Sequence, residues 1–395
     1  MTGWLDFDPE RYRTRREESA RRMQAAHEFR EGDCVATVAS VGGSYFAWLF
    51  GVDIRDYYTD IDTQIEVQLR GLQWRYENLP DDFTGTGIGY DGGPAGEGLF
   101  FEECGIVYPP GTSPWVVPFI KDGADVEALQ IKDPRDNARI QDYLKRGQRF
   151  VERARELGVR VPASPGWVGI HPPLSCACAI ADDAWVYENM VAEPGIVLKL
   201  FEKCFRAFCA CQEYMYEVYG GGPGHLGLAD DNSAFVSDEM YRRMVLPFNL
   251  ALYEKYGPGG RSLHADGPNE HHYETYAKIV KLNHMDIGGW SKLRPAVEIL
   301  KPAGCVVHGG LNNRDLYSGW TEPLRQKIRQ SIRIAAPGGG YEFAIGGETY
   351  AGTDPDVLCR TFEYAHEVGR FPLDIPEEPL PGEDDGRPVW EAVTV

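Results

Sequence analysis

Hydrophobic positions along this chain switch repeatedly between a period of two and a helical period, most plainly from His225 to Gly267. His225–Ala229 alternates as a short strand and runs into Asp230-Asp231. Next, Ser237 is suited to cap a helix, and Asp238 and Glu239 put negative charge beside the first turn's exposed N–H groups. Met240, Tyr241, Met244, Val245, Phe248 and Leu252 recur at helical spacing and predict one buried face, which Pro247 should bend. A second strand then ends in His264-Ala265-Asp266-Gly267. Two strands that each finish in carboxylates, joined by a packed helix, make a βαβ unit with its chemistry at the strands' C-terminal ends.

The same alternation extends along the chain. Residues 1–32 predict an N-terminal helical extension, with Arg11–Arg22 and Met23–Phe29 forming a charged helix. Cys34–Ser40 reads as the first strand, and Asp60–Asn78 as a helix with Ile61, Ile65, Leu69 and Leu72 on one face. The glycine-rich Thr84–Gly98 lacks the spacing of a phosphate-binding loop. It reads instead as a strand and a close-approach loop carrying Asp91. Pro134–Leu157 is helical, Gly166–Ile170 a strand ending at His171, and Asp182–Val191 and Pro194–Tyr219 helices. His271–Lys281 is helical, and His284–Ile287 is a strand stopped by Gly288-Gly289. Cys305–His308 is a strand stopped by Gly309-Gly310, and Tyr341–Ile345 is the last strand. Between these two, Thr321 caps a helix with Leu324, Ile328 and Ile332 at four-residue spacing. Glycine breaks after strands that alternate with helices predict an α/β fold, a (β/α)8 TIM-type barrel over residues 33–372. The acidic, proline-rich residues 373–395 predict a tail lying on the surface or on a partner.

Composition narrows the function. A net charge of −20 argues against nucleic acid or an anionic membrane as partner, since both require a basic face. The nine cysteines are irregularly spaced, with Cys176-x-Cys178 and Cys209-x-Cys211 too close for the usual metal pairs. With no secretory signal at the start, they read as reduced core thiols of a cytoplasmic protein. The uncharged runs Cys34–Val52 and Val161–Ala181 are broken by glycines, prolines and polar residues, so neither predicts a membrane helix.

In a barrel, side chains just past the strands converge on one mouth. Those side chains are Asp91, His171, Asp230, Asp231, His264, Asp266, His308 and Glu348. His264 and Asp266, two apart on an extended segment, point to the same side and could reach one ion. Glu348 or His308 could complete the ligand set. The alternative is that His264 and Asp266 hydrogen-bond substrate without a metal. Asp230 and Asp231 diverge as neighbours, so one of them faces the pocket as a general acid or an orienting group. His171, Asp91 and His308 would line it, and aromatics such as Trp290 near strand ends suggest an apolar or aromatic pocket.

From about Gly220 to Leu373 the order of motifs resembles the uroporphyrinogen decarboxylase superfamily, which includes corrinoid-dependent methyltransferases. The matching pieces are Leu228–Phe248 (LADDNSAFVSDEMYRRMVLPF), Ser262–Gly267 (SLHADG), His284–Trp290 (HMDIGGW), Cys305–Asn313 (CVVHGGLNN) and Ala336–Leu358 (APGGGYEFAIGGETYAGTDPDVL). The resemblance implies a barrel with its pocket at the C-terminal mouth. Porphyrinogen decarboxylases of this superfamily carry an arginine-rich segment that binds substrate carboxylates. Here the corresponding Ser40–Trp48 has no arginine, which argues against that reaction. The methyltransferase branch uses a zinc site with an H-x-C strand end and a later cysteine. Here His264 matches, Asp266 stands at the first cysteine, and Gly347-Glu348 offers no thiol.

Oxygen donors with imidazole still suit zinc acting as a Lewis acid. The resemblance therefore implies a methyltransferase or demethylase acting on a small methylated substrate, with His264, Asp266 and Glu348 around a zinc ion. The chain has no D-x-H-x-x-G corrinoid motif, so a corrinoid would arrive in trans on a partner protein. The competing expectations are a metal-free decarboxylase or lyase on the same barrel and a non-catalytic ligand-binding relative. Assembly is left open, a homodimer included.

Overall fold

The computed structural model describes residues 3–93, 95–109, 112–386 and 389. Pro94 of the glycine-rich segment and the end of the acidic tail lie outside the described residues.

Local chemistry explains most of the elements. Helix α1 (Arg13–His27) forms the extension, and β1 (Ala36–Val38) follows it. Helix α2 (Pro173–Ile180) begins with a proline in its first turn, where no backbone donor is needed, and α3 (Pro194–Tyr219) begins in the same way. Glycine at Gly220, with φ +75, ends α3. Strand β2 (His225–Ala229) leads to the Ser237 cap, whose Oγ accepts from Met240 N at 3.2 Å. Pro247 does not simply bend the next helix. A π turn over Tyr241–Val245 precedes α4 (Leu246–Tyr256), so the proline falls in a first turn, where its missing N–H is harmless.

Strand β3 (Gly260–His264), β4 (His284–Asp286), β5 (Val306–Leu311) and β6 (Tyr341–Ile345) carry the later motifs. Helix α5 (Glu322–Ala335) is capped by Thr321 and buries Leu324, Ile328 and Ile332 completely. Each burial stabilises by roughly 1.5–3 kcal/mol. Helix α6 (Pro355–Val368) closes the series, its Phe362 set edge-on against Phe343 of β6.

Two expected strands differ. The segment Gly166–Ile170 is not a strand, because Gly166 turns the backbone at φ +77 and packs where a Cβ would meet Tyr90 O at 2.3 Å. Pairing is confined to Ala163–Ser164 alongside Ile88–Gly89. Conversely, β5 is not stopped by Gly309-Gly310 but runs through them to Leu311. At Gly310, φ is +131 and a Cβ would lie 2.6 Å from Tyr341 Oη. Only glycine admits that ring beside the strand.

The chain packs as two compact units, Met1–Gly51 with Val67–Thr86 and His264–Val395, and Val52–Glu66 with Gly87–Leu263. In the first, β1, β6, β5 and β4 lie side by side in that order, all parallel. The register sets Glu342 opposite His308, and His308 opposite Asp286. The described tail lies on this unit. Arg329 and Arg333 of α5 hold Glu378 and Glu377, each at 2.8 Å, and Arg294 holds Asp384 at 2.6 Å. In the second unit β2 and β3 are neighbours. All nine cysteines are free thiols, and all but Cys209 and Cys359 are buried. Among the described residues no helix is long and apolar enough to cross a membrane.

Candidate functional site

In the first unit, chemistry gathers at the C-terminal ends of the strands around His264. Its Nδ1 lies 2.8 Å from Asp286 Oδ2, and its Nε2 lies 3.8 Å from Asp266 Oδ2. Burial alone would raise the Asp286 pKa, but the hydrogen bond from His264 and the charge of His308 hold it below the usual carboxylate range. Asp286 is therefore an ionised acceptor, and His264 must donate from Nδ1. Nε2 then presents its lone pair toward Asp266.

Asp266 is itself fixed by glycines. A Cβ on Gly288 (φ +64) would lie 2.6 Å from Asp266 Oδ1, and one on Gly347 (φ +72) would lie 3.1 Å from Oδ2. Two separate loops thus approach the carboxylate more closely than any side chain would allow. The arrangement fits a divalent ion. Donors sharing an ion with bonds of about 2.0–2.2 Å lie roughly 3–4 Å apart, and a metal-bound imidazole commonly donates its other N–H to a carboxylate.

The remaining residues expected in this unit are spread out. Glu348 follows Gly347, and its backbone oxygen accepts from Asn313 Nδ2 at 2.5 Å. Its side chain is exposed, and among the described residues it joins no group of three or more ligand atoms within 4.8 Å of one another. His308 is buried, with Nδ1 2.7 Å from Glu342 Oε2. Trp290 is exposed, with the Arg314 guanidinium 4.9 Å from its ring centre.

The second unit holds another cluster. Asp230 is buried, accepting from Ser175 Oγ and Asn249 Nδ2, each at 2.8 Å. Burial raises its pKa to about 6 against those two hydrogen bonds, helped by the charge of Asp231. Asp231 is half-buried at the start of a short 3-10 turn. His171 is held by Glu97 Oε1, 2.6 Å from its backbone N and 2.8 Å from Nδ1. The Glu97 charge carries the His171 pKa up to about 9 against burial. Burial pushes the Glu97 pKa up, but the His171 charge and hydrogen bonds hold it below its ordinary value.

His171 is therefore an imidazolium at neutral pH. A cavity of about 350 Å³ beside it is lined by Trp167, Phe208, Cys211, Leu226 and Leu228. Asp91 instead anchors its loop, accepting from Tyr57 Oη at 3.0 Å and Gly93 N at 2.8 Å. Another cleft, about 810 Å³ between α1 and residues such as Asp33, His366 and Arg370, is lined by none of the residues expected to carry the chemistry.

The His171–Glu97 pair predicts a pH dependence. A raised histidine pKa means that the pair's stabilisation is full below about 6.5 and is lost as pH rises through about 9. In Glu97→Gln, the His171 ring should titrate near the ordinary histidine value instead of near 9. NMR of the imidazole measures this, and an unchanged midpoint would contradict it.

Glu97, Ser175, Asn249, Asp286 and Glu342 were not singled out in the sequence. Two had a readable sign: Glu97 is the one charge in Gly92–Phe101, and Asp286 sits two residues after His284 on a strand.

Residues 103–368 match the family model described as uroporphyrinogen decarboxylase (URO-D). No curated protein matches. Among solved structures, a methyltransferase from Methanosarcina mazei is similar, with a TM-score of 0.61 at 14% identity, covering 88% of this chain and 97% of that one. At that identity the likeness shows the fold alone, that of an α/β TIM-type barrel.

Proposed function

This chain belongs to the uroporphyrinogen decarboxylase family, and from that premise we propose that it is an enzyme of the methyltransferase branch. It takes a methyl group from a small methylated substrate, methoxy compounds included, and passes it to a corrinoid on a separate protein. The observation that carries this reading is the orientation of His264: Asp286 fixes its Nδ1–H, so Nε2 faces the glycine-cradled Asp266 carboxylate. His264 and Asp266 would hold a divalent ion such as zinc; the exposed Glu348 side chain is not among the ligand atoms gathered there. Such an ion supplies Lewis acidity, drawing electron density from the heteroatom that loses its methyl group.

The chain's own residues do the rest. Asp286 keeps His264 in one tautomer and makes it a better donor. In the second unit, the proton affinity of the buried Asp230 suits donation near neutral pH.

The test is direct. Zinc-loaded protein is incubated with cob(I)alamin and a panel of methoxy, methylamine and methylthio compounds, and methylcobalamin is followed by absorbance. Methyl transfer from at least one class, abolished in His264→Ala, is the expected result; no transfer from any class would overturn the reading. In the same assay Asp286→Asn should weaken zinc binding by about 10–100-fold. Competition with a chelator measures that shift.

A second reading is a metal-free decarboxylase. The cationic His171 beside the cavity, suited to hold a substrate carboxylate, supports it. CO2 release without a methyl acceptor would favour it.

A further inference from the structure

At the other end of the same parallel strands, three imidazoles surround one buried carboxylate. Glu342 is the second residue of β6, His284 the first of β4, and His27 the last of α1. His27 Nε2 lies 2.5 Å from Glu342 Oε1, and His284 Nε2 lies 3.1 Å from Oε2. His308 Nδ1 contacts Oε2 at 2.7 Å. Alternation along the strands explains the convergence. Phe343 points toward α6, so Glu342 points the other way, and the register brings His308 of β5 beside it. The end of α1 is secured there by Gly340 N donating to Ala26 O at 2.8 Å.

We propose that His27, His284 and Glu342 form a binding site for a zinc-class divalent cation, separate from the His264–Asp266 pair, that pins α1 to the sheet. The three ligand atoms lie within 4.8 Å of one another. Two imidazoles and one carboxylate are the borderline donors that zinc prefers. Both rings present Nε2 to the same carboxylate. With bonds of about 2.0–2.1 Å and tetrahedral angles, neighbouring donors sit roughly 3.3 Å apart. The His284–Glu342 spacing already matches. The His27 ring must back away by less than an ångström, and its half-exposed position on the last turn of a helix allows that.

His308 is the positioning group. It holds Oε2 from the buried side, as carboxylate ligands are commonly held by an outer hydrogen bond. A fourth coordination position would be left to water. In this role the ion is structural: it ties residues 315 positions apart in sequence. The proposal does not depend on methyl transfer or on a metal at His264.

The test uses the full chain and the metal alone. Zinc uptake after chelator stripping is measured by dialysis and elemental analysis, with cobalt(II) absorption reporting the donor set. Wild type, His27→Ala, His284→Gln and a His264→Ala/Asp266→Ala double variant are compared. The expected result is that the double variant keeps this equivalent, while His27→Ala and His284→Gln bind it at least about 100-fold more weakly. Stripping the ion should also speed tryptic cleavage within the arginine-rich α1 in wild type but not in His27→Ala. His27→Ala folds by circular dichroism in chelator if the residue serves only the ion, and His284→Gln is the second check. Absence of zinc uptake by wild type, uptake unaffected in both histidine variants, or its loss from the His264/Asp266 variant would each overturn the proposal.

Discussion

Asp230→Asn should slow methyl transfer by about 10²–10⁴-fold, the usual contribution of a positioned general acid. The assay is the cobalamin reaction with whichever methyl donor the panel identifies. The expectation rests on burial. With its side chain removed from water and Asp231 adjacent, Asp230 has its pKa raised to about 6, so it exchanges a proton in the working range. Its partners accommodate both protonation states. Asn249 Nδ2 serves the ionised form, whereas Asn249 Oδ1 is buried and finds no partner among the described residues. Rotation of that amide would let a protonated Asp230 donate to Oδ1 instead.

The same substitution has an opposite effect on the fold, which separates loss of chemistry from loss of structure. A carboxylate with a raised pKa stabilises the folded state only below its unfolded value near 3.9, and that stabilisation disappears as pH rises through about 6. At pH 8 the wild type therefore carries the full cost of an ionised buried group. Asp230→Asn should be more stable there by about 1–3 kcal/mol and should show no such gain at pH 4. Urea denaturation at the two pH values reads the difference. A slower enzyme that is also less stable at pH 8 would mean that Asp230 is a structural anchor rather than a proton donor.

What the sequence disclosed and what it concealed divide along range. Elements set by neighbours in the chain were legible. Pro194–Tyr219 and Tyr341–Ile345 form as expected, and Ser237 and Thr321 cap their helices, because propensity and capping act over a few residues. Gly309-Gly310 misled because glycine both ends strands and permits close packing, and only the Tyr341 ring distinguishes the two. The expected chemical residues were strand-end histidines and carboxylates, yet the groups that set their state lie elsewhere. Glu97 is 74 residues from His171, Ser175 is 55 from Asp230, and Asp286 is 22 from His264. No local pattern marks such partners, since only the packed fold brings them into hydrogen-bonding distance. Glu348 shows the converse. Its place beside Gly347 is set by the strand ending, while the reach of its exposed side chain is not fixed by the local pattern.

Glu342→Ala should destabilise the protein by about 3–5 kcal/mol, as expected when one partner of a buried ionic group is removed and the others remain. Burial works to raise the Glu342 pKa, but hydrogen bonds from His27, His284 and His308 hold it well below the usual carboxylate range. Burial likewise opposes charge on His308, and Glu342 and Asp286 overcome it, raising the His308 pKa. Truncating Glu342 leaves His308 enclosed without its hydrogen-bonded counter-charge, with Asp286 alone remaining, and opens a cavity where the carboxylate stood. Glu342→Gln keeps the shape and one acceptor, so its cost should be clearly smaller than that of alanine. His27→Ala, which removes a half-exposed ring, should cost least. Urea denaturation of chelator-treated protein keeps bound ions out of the comparison. An alanine variant whose midpoint matches wild type would mean that the buried His308 does not depend on this carboxylate.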